Sequence, residues 1–197
     1  MIEKELKTFY PANRQQWRAW LEENHNNEKS VWLIFYKNKS NTPTITWSDA
    51  VDEALCFGWI DSIAKPLDEE KFMRFFSRRK VNSVWSGVNK EKVRRLIEDG
   101  VMTQKGLKSI ETAKRNGSWI SLDDVEALIV PADLEEEFQK RPNANSNFSG
   151  LSKSVKKSIL QWLNQAKRSD TRQKRIVEIV ELAELNLKPQ AIQWTKK

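Results

Sequence analysis

The 197-residue chain contains one cysteine, one histidine, two tyrosines and six glycines. The single cysteine excludes a disulfide within the chain, and one cysteine with one histidine cannot build a zinc site of the Cys/His type. His25 follows a predicted helix, where a solvated side chain is favoured, and without His25 no histidine-dependent triad can form. These scarcities predict no metal site and no cofactor.

The six glycines are not spaced as GxGxxG, and no Gly-Lys-Ser/Thr follows any of them. A dinucleotide fingerprint and a P-loop are therefore both absent. The start of the chain, Met1–Glu5, is charged, and no apolar run approaches the ~20 residues of a membrane helix. Cys56 lies in an apolar stretch and is predicted to be a buried, inert thiol. We expect a cytoplasmic protein without membrane insertion.

Charge is abundant and segregated along the chain, whose net charge is +7. Residues 71–95 contain nine basic residues against one acidic, and residues 153–175 contain eight against one. Between them, residues 123–137 contain seven acidic residues and no basic one. Nine tryptophans and eight phenylalanines supply side chains for a core or for stacking. A basic surface for phosphate-bearing partners and a set of solvated, mutually paired helix faces both fit this pattern.

The apolar run Val31–Tyr36 predicts a buried strand, and residues 59–65 and 71–77 predict an antiparallel hairpin around a longer turn. Asn13 with Gln16, and Thr46 with Asp49, have the spacing of capping boxes. The predicted fold class is α+β. A small antiparallel sheet with flanking helices forms the N-terminal half, and the C-terminal half is all helical.

After the hairpin the pattern is helical. Residues 1–118 are predicted to form the α+β domain, and residues 119–197 a helical segment packed on it, either separate or continuous with it. Asn143–Asn147 is the best candidate for a linker. Helix caps are predicted at Asn89, Thr103, Ser121 and Asp170.

Arg78–Lys80 is followed by Ser83–Asn89, which leads into a helix N-terminus. Free backbone N–H groups, polar cap residues and clustered arginines are what an anion site needs. The candidate ligand-binding residues are Trp59, Asp61, Arg74, Arg78, Arg79, Lys80, Ser83, Trp85, Ser86 and Asn89. A secondary basic surface comprises Lys167, Arg168, Arg172 and Arg175, where helical spacing favours solvated or paired faces.

Asp61 follows Trp59 in a strand of aromatic character. It could be a buried carboxylate with a shifted pKa, or the ion-pair partner of Arg74 or Arg78 across the hairpin. The ion pair is the favoured interpretation.

Residues 50–62, 78–80 and 83–89 resemble the YdeI/OmpD-associated, or bacteriocin-protection, family of bacterial proteins. Residues 159–176 resemble the C-terminal helical segment of that family. The resemblance extends over nearly the whole chain, and Ala54–Asp61 is its most specific part. It implies protection against peptide toxins or association with an outer-membrane porin, and it supplies no catalytic residue.

Three functions remain in competition. The first is non-catalytic binding of nucleic acid or a phosphate-bearing small molecule, with Trp59 or Trp85 as an apolar wall or stacking platform. The second is a protein or peptide partner in bacteriocin, antimicrobial-peptide or envelope-stress tolerance, contacting residues 123–137 or the basic helices after Ser152. The third is an enzyme that uses Asp61 with a neighbouring Arg or Ser as acid–base groups.

Overall fold

The computed structural model describes residues 7–192, so the charged start Met1–Glu5 lies outside the described residues. The chain divides into two compact units, Met1–Ile120 and Ser121–Lys197, here called unit 1 and unit 2. Within residues 7–192, no helix combines the length and apolar character needed to span a membrane.

Unit 1 contains a four-stranded sheet flanked by helices. Its elements are β1 (Thr8–Phe9), α1 (Arg14–Asn24), β2 (Ser30–Tyr36), a 3-10 turn (Asn38–Ser40), α2 (Trp47–Cys56), β3 (Trp59–Pro66), β4 (Lys71–Arg78), α3 (Gly87–Glu98) and α4 (Gln104–Arg115). The strand order is β1-β2-β4-β3. This arrangement, with the helices of unit 2, confirms the α+β class.

The sheet is mixed, which corrects the expectation of a purely antiparallel one. β4 pairs antiparallel with both β2 and β3, as the predicted hairpin requires. β1 pairs parallel with β2, because α1 lies between them and returns the chain to the end of the sheet from which β1 starts. β1 has only two residues, too few for a sequence pattern. On β3 the pairing shifts between Asp61 and Ala64, which marks a β-bulge.

The core of unit 1 lies between the sheet and its helices. Alternate residues of β2, namely Val31, Leu33 and Phe35, are buried in it. Trp17 of α1 is fully buried there, and its indole N–H donates to the Ala50 carbonyl at 3.0 Å. Trp32, on the opposite face of the strand, is only 6% exposed. The predicted strand is confirmed and its Val31, Leu33 and Phe35 face is buried, whereas Ile34 and Tyr36 on the opposite face are only partly buried.

Three of the predicted helix N-caps in unit 1 are confirmed, and a fourth prediction is wrong. Asn13, Thr46 and Thr103 accept a backbone N–H with their side chains, as predicted. α3 begins before Asn89, because Ser86 is its cap and accepts the Asn89 N–H at 3.3 Å. Asn89 is therefore the third residue of the helix and not its cap.

In the described part of unit 2, residues 121–192, the regular elements are all helical. Its elements are α5 (Asp123–Glu126), α6 (Ala132–Gln139), α7 (Pro142–Gly150), α8 (Lys153–Asn164), α9 (Ser169–Glu184) and a 3-10 turn (Gln190–Ile192). Its buried core includes Leu134, Phe138, Ile159, Leu163 and Ile179. These side chains recur three or four residues apart along the helices, as the apolar stripes of the sequence predict.

The predicted linker Asn143–Asn147 is wrong, because these residues lie within α7. Pro142 starts the helix, and Ala144 and Phe148, four residues apart, are buried on one face. The Asn147 amide donates to the Ala183 carbonyl of α9 at 3.0 Å, so a polar side chain is used within the packing. Burial and this bond outweigh the loop-favouring composition of the segment.

Two further caps in unit 2 differ from prediction. The N-cap of α5 is Leu122 and not Ser121, and no side chain completes it. The N-cap of α9 is Arg168, which places Asp170 in the first turn of the helix. A carboxylate there still interacts favourably with the helix N-terminus, so the same residue type stabilises the helix from a different position.

Candidate anion-binding site

A cavity of about 210 Å³ lies in unit 1, lined by the α2–β3 turn, the end of β4 and α4. We call it the Arg79 pocket. Its aromatic lining is Phe57, Trp59 and Trp85; its basic lining is Arg78, Arg79, Lys80, Lys105 and Lys108; the remaining lining residues are Gly58, Val81, Ser109 and Thr112.

Two glycines allow α4 to approach this turn. Gly58 has a φ of +70°, and a Cβ there would lie 3.2 Å from the Lys105 carbonyl oxygen. A Cβ on Gly106 would collide with the Cys56 carbonyl oxygen and with the sulfur of Met102. Close packing at both positions requires glycine, and it places the basic face of α4 beside the turn.

Arg79 is half-buried and lines the pocket. Its guanidinium carbon lies 3.7 Å from the ring centroid of Trp85, and its Nη1 donates to the Val84 carbonyl at 2.8 Å. Its Nε is buried and has no hydrogen-bond partner among the described residues, none of which forms an ion pair with it. Burial lowers the pKa of Arg79 to about 10, although the charge of Asp61 acts in the opposite direction.

Two further buried donors belong to the pocket lining. Trp59 and Trp85 are each 1% exposed, and the indole N–H of each is buried without an acceptor among the described residues. A buried donor left unpaired costs about 1–3 kcal/mol. With the Nε of Arg79, three buried donors of the lining residues thus lack an acceptor among the described residues.

The charged side chains that line the pocket are all basic. Lys80, Lys105 and Lys108 are exposed, and none forms an ion pair with a residue in the described part of the chain. The guanidinium of Arg78 donates to the backbone carbonyls of Asn26 and Glu28 and is not paired with a carboxylate among the described residues. No acidic side chain is among the described residues of the lining. The cavity therefore has a positive potential that attracts anions.

The structure separates the ten candidate residues into two groups. Five of them line the pocket: Trp59, Arg78, Arg79, Lys80 and Trp85. Of the other five, Ser83, Ser86 and Asn89 do not line it, and the Ser86 hydroxyl is used as the α3 cap. Asp61 and Arg74 also lie outside the lining and pair with each other at 2.9 Å.

Asp61 is held in a second, separate cluster. Besides the Arg74 ion pair, it accepts the indole N–H of Trp47 at 2.9 Å, and the Arg74 guanidinium lies 4.4 Å over the Trp47 ring. The predicted Asp61–Arg74 pairing is confirmed. Arg78, the alternative partner, bonds to backbone carbonyls instead.

The secondary basic surface of unit 2 is partly used within that unit. Arg172 donates through two nitrogens to Asp133 and lowers the pKa of this carboxyl. Arg175 donates to the Trp162 carbonyl and lies 4.8 Å over the Trp162 ring. Lys167 and Arg168 are exposed. Arg172 is thus paired between a basic and an acidic helix, which is one of the two interpretations of the charge pattern.

Residues of α4 were missed as pocket residues. Three of these residues lie three, four and seven positions after the first along α4, which places all of them on one helix face. They are Lys105, Lys108, Ser109 and Thr112. That spacing was available in the sequence, but it does not show which element the face meets.

Cys56 is buried, as predicted. Burial and the nearby Glu53 carboxylate raise the pKa of its thiol to about 11, which keeps it protonated and unreactive at neutral pH. Among the described residues, no group of three or more His, Cys, Asp or Glu side chains could hold a metal ion.

Fold and site together define unit 1 as an α+β domain with a cationic, tryptophan-lined pocket. Residues 9–109 match the family described as a domain of unknown function (DUF8412), and this match spans just over half of the chain. The chain therefore belongs to that family. Neither the comparison with curated proteins nor that with solved structures found a match.

Residues 127–186 match the family described as Bacteriocin-protection, YdeI or OmpD-Associated. This match confirms the resemblance stated from the sequence and includes residues 159–176. Its extent is smaller than expected, because it covers α6 to α9 of unit 2. Residues 50–62, 78–80 and 83–89, on which much of the resemblance rested, lie within the match to the domain of unknown function.

Proposed function

We propose that this protein binds a small anionic ligand in the Arg79 pocket and acts without catalysis. The observation that carries the proposal is the lining of the pocket, which contains five basic side chains and no acidic one among the described residues, together with Arg79, a half-buried cation without a carboxylate partner there. A carboxylate or phosphate in the pocket offsets the desolvated charge of Arg79. The surrounding lysines add long-range attraction.

A small ligand fits this pocket better than a nucleic-acid strand. Single-strand binding relies on exposed aromatic faces, whereas Trp59 and Trp85 are each 1% exposed. One contact of Trp85 is with the Arg79 guanidinium, and another is with Trp119, whose ring centroid lies 5.1 Å away. Neither tryptophan presents a face on which a base could stack.

The proposal is tested by titrating the full chain with inorganic phosphate, AMP and a single-stranded 12-mer of DNA, using calorimetry at low and physiological salt. Expected is saturable binding of at least one small anion, weakened about tenfold or more by Arg79→Gln. Arg141→Gln, which removes the same charge from an exposed site in unit 2, is the matched control. Equal affinities in the two variants would place the anion elsewhere. Binding of the 12-mer alone would favour a nucleic-acid surface.

A second candidate function concerns unit 2 and rests on the family match. The printed description of that family names bacteriocin protection, and α6 displays acidic side chains that a cationic peptide could contact. Asp133 and Glu137 are already paired with Arg172 and Lys140. Glu135 and Glu136 have no ion-pair partner within residues 7–192, which makes them the residues proposed to meet such a peptide.

Charge reversal tests this candidate. The double variant Glu135→Lys with Glu136→Lys should abolish capture of a cationic antimicrobial peptide by the immobilised chain. Glu22→Lys with Glu23→Lys, an exposed acidic pair on α1, is the matched control. Capture that is unchanged in the α6 variant would exclude this surface.

A further inference from the structure

The basic side chains of the Arg79 pocket come from two walls. One wall is the end of β4 with the residues after it, Arg78–Lys80, and the other is the face of α4 that carries Lys105 and Lys108. A ligand that lies between these walls meets positive charge from both of them.

Tertiary contacts hold the two walls together. Gly58 of the α2–β3 turn packs so closely on α4 that a Cβ would lie 3.2 Å from the Lys105 carbonyl oxygen. The carbonyl of the same glycine accepts the backbone N–H of Arg79 at 2.9 Å, so Gly58 connects both walls. At the end of α4, the Asn116 side-chain amide donates to the Val81 carbonyl at 2.8 Å. The cations are thus attached to backbone that packing and hydrogen bonds hold in place.

The two arginines of the pocket offer little to a planar carboxylate. Arg78 already donates from Nε and Nη2 to the carbonyls of Glu28 and Asn26. The Nε of Arg79 is buried, and its Nη1 donates to the Val84 carbonyl. A carboxylate is bound most firmly by two parallel N–H groups of one guanidinium, and the edge that includes Nε is closed on both residues. The lysines are therefore the groups that can reach a ligand.

Three lysines of the pocket are exposed and have no ion-pair partner within residues 7–192: Lys80, Lys105 and Lys108. An ammonium group is a point charge with three donors, which suits phosphate oxygens that face several directions. The hydroxyl of Ser109 also lacks a hydrogen-bond partner in the described part of the chain. One phosphate group carries a charge of about −1.5 to −2 at pH 7, so it balances at most two of the three lysines. Two linked phosphate groups balance all three.

We infer that the ligand of the Arg79 pocket carries a diphosphate group. The inference rests on the proposed function and names its ligand class. One phosphate contacts Lys105, Lys108 and the Ser109 hydroxyl on the α4 wall, and the other contacts Lys80. A cavity of ~150 Å³ encloses benzene, which has six heavy atoms. Diphosphate, which has nine, fits the pocket of about 210 Å³ in nearly the same proportion.

The first test compares probes that differ in the number of linked phosphates, by calorimetry with the full chain and without divalent cations. Diphosphate should bind at least tenfold more tightly than inorganic phosphate, because its second phosphate gains a charge-assisted contact with Lys80. ADP should exceed AMP in the same way. Tighter binding of ADP than of diphosphate would identify a nucleotide as the source of the group, and the reverse would identify free diphosphate.

Citrate separates phosphate recognition from charge alone. It carries several negative charges on planar carboxylates, for which the pocket has no open arginine edge that includes Nε. Citrate should therefore bind at least tenfold more weakly than diphosphate.

Substitution of exposed lysines tests the contacts. Lys105→Gln with Lys108→Gln should weaken diphosphate binding about tenfold or more, and Lys80→Gln should weaken diphosphate binding more than phosphate binding. The matched control is Lys153→Gln with Lys156→Gln, which removes two charges at the same spacing from α8 of unit 2 and should not change either affinity.

Lysine labelling gives a readout on the unaltered chain. With a limiting amount of an acetylating reagent, diphosphate should slow the modification of Lys80, Lys105 and Lys108, as measured by peptide mass spectrometry. Lys153 and Lys167, which are exposed in unit 2, should react at the same rate with and without diphosphate. Protection limited to the three pocket lysines would locate the ligand without any substitution.

The outcomes separate this inference from the proposed function. If phosphate binds in an Arg79-dependent way and diphosphate binds no more tightly, the pocket takes a small anion but the diphosphate class is wrong. If citrate binds as tightly as diphosphate, charge alone determines affinity, and phosphate recognition is refuted. If the α8 control weakens binding as much as the α4 variant does, or if no anion binds, both the inference and the proposed function are wrong.

Discussion

Asp52 and Glu53 are adjacent in α2 and each only 2% exposed, yet their carboxylates are held by different helices. Each accepts two cationic partners, so neither is a buried charge without compensation. The partners are Lys92 and Arg95 of α3 for Asp52, and Arg14 and Arg18 of α1 for Glu53. Two successive residues thus tie α2 to both α1 and α3.

Removing one of these carboxylate charges should destabilise unit 1. Asp52→Asn keeps the size of the side chain but leaves Lys92 and Arg95 without their anion, and we expect a loss of about 2–3 kcal/mol in the free energy of unfolding. Urea unfolding followed by tryptophan fluorescence measures it. Glu98→Gln, which breaks an exposed ion pair with Arg94, should have no measurable effect. A loss no larger than in this control would contradict the interpretation.

Gly106→Ala should disturb both stability and the pocket. The new methyl would meet the Cys56 carbonyl, which is fixed in the chain, as well as the more adaptable Met102 sulfur. We expect a loss of about 1–3 kcal/mol in the free energy of unfolding and weaker anion binding, because α4 must move away from Gly58. Gly150→Ala introduces a methyl that meets nothing within 4 Å and should not destabilise the chain. Thermal unfolding measures the stability of both variants, and calorimetry measures their ligand binding. Equal effects of Gly106→Ala and Gly150→Ala would refute the close approach of α4 to the α2–β3 turn.

Arg79→Met should separate stability from binding. It removes a desolvated cation that has no carboxylate partner among the described residues and keeps apolar contact with Trp85. Without anions, the variant should be as stable as the unaltered chain or more stable by about 1 kcal/mol, while ligand binding is lost. Arg74→Met, the same substitution at a paired arginine, should destabilise unit 1 because it leaves Asp61 without its cationic partner. Urea unfolding measures both; a large loss for Arg79→Met would show that Arg79 is structural.

The Asp133–Arg172 pair should make unit 2 sensitive to acid. Because the folded-state pKa of Asp133 lies below its unfolded value, the pair stabilises at neutral pH and its contribution disappears as the pH falls through the folded-state pKa. Asp133→Asn should therefore cost up to ~1 kcal/mol at pH 7 and progressively less below pH 4. Hydrogen exchange of α6 and α9 amides measures unit 2 alone. Glu136→Gln, which removes an exposed carboxylate of α6 without an ion-pair partner within residues 7–192, is the control.

The elements that could be predicted are those whose signal lies within the element itself. β2 and the hairpin have apolar patterns over seven or eight residues, and Asn13, Thr46 and Thr103 interact only with the first turn of their own helices. β1 could not be predicted, since its two residues are a strand only by pairing with β2. α7 was missed because its helix depends on packing of Ala144 and Phe148 against other helices.

The residues of the candidate site also divide into those with a local sequence signal and those brought together only by tertiary contacts. Arg78, Arg79, Lys80 and Trp85 are close in sequence, and clustering of basic and aromatic residues was enough to find them. Lys105 and Lys108 join them only because α4 approaches the turn at Gly58, a contact that no local pattern contains. The sequence placed the anion site at the N-terminus of α3, but the pocket does not include the residues there. The reason is local, because the Ser86 side chain already caps that helix.

The β-bulge on β3 has a consequence for how unit 1 meets other molecules. β3 is an edge strand of the sheet, and its outer half contains the bulge, Lys65 and Pro66. A kinked backbone, a charged side chain and a residue without an N–H each prevent a foreign strand from extending the ladder. The sheet is thereby protected from self-association through β3, and a partner on this side must be recognised by side chains and not by strand addition.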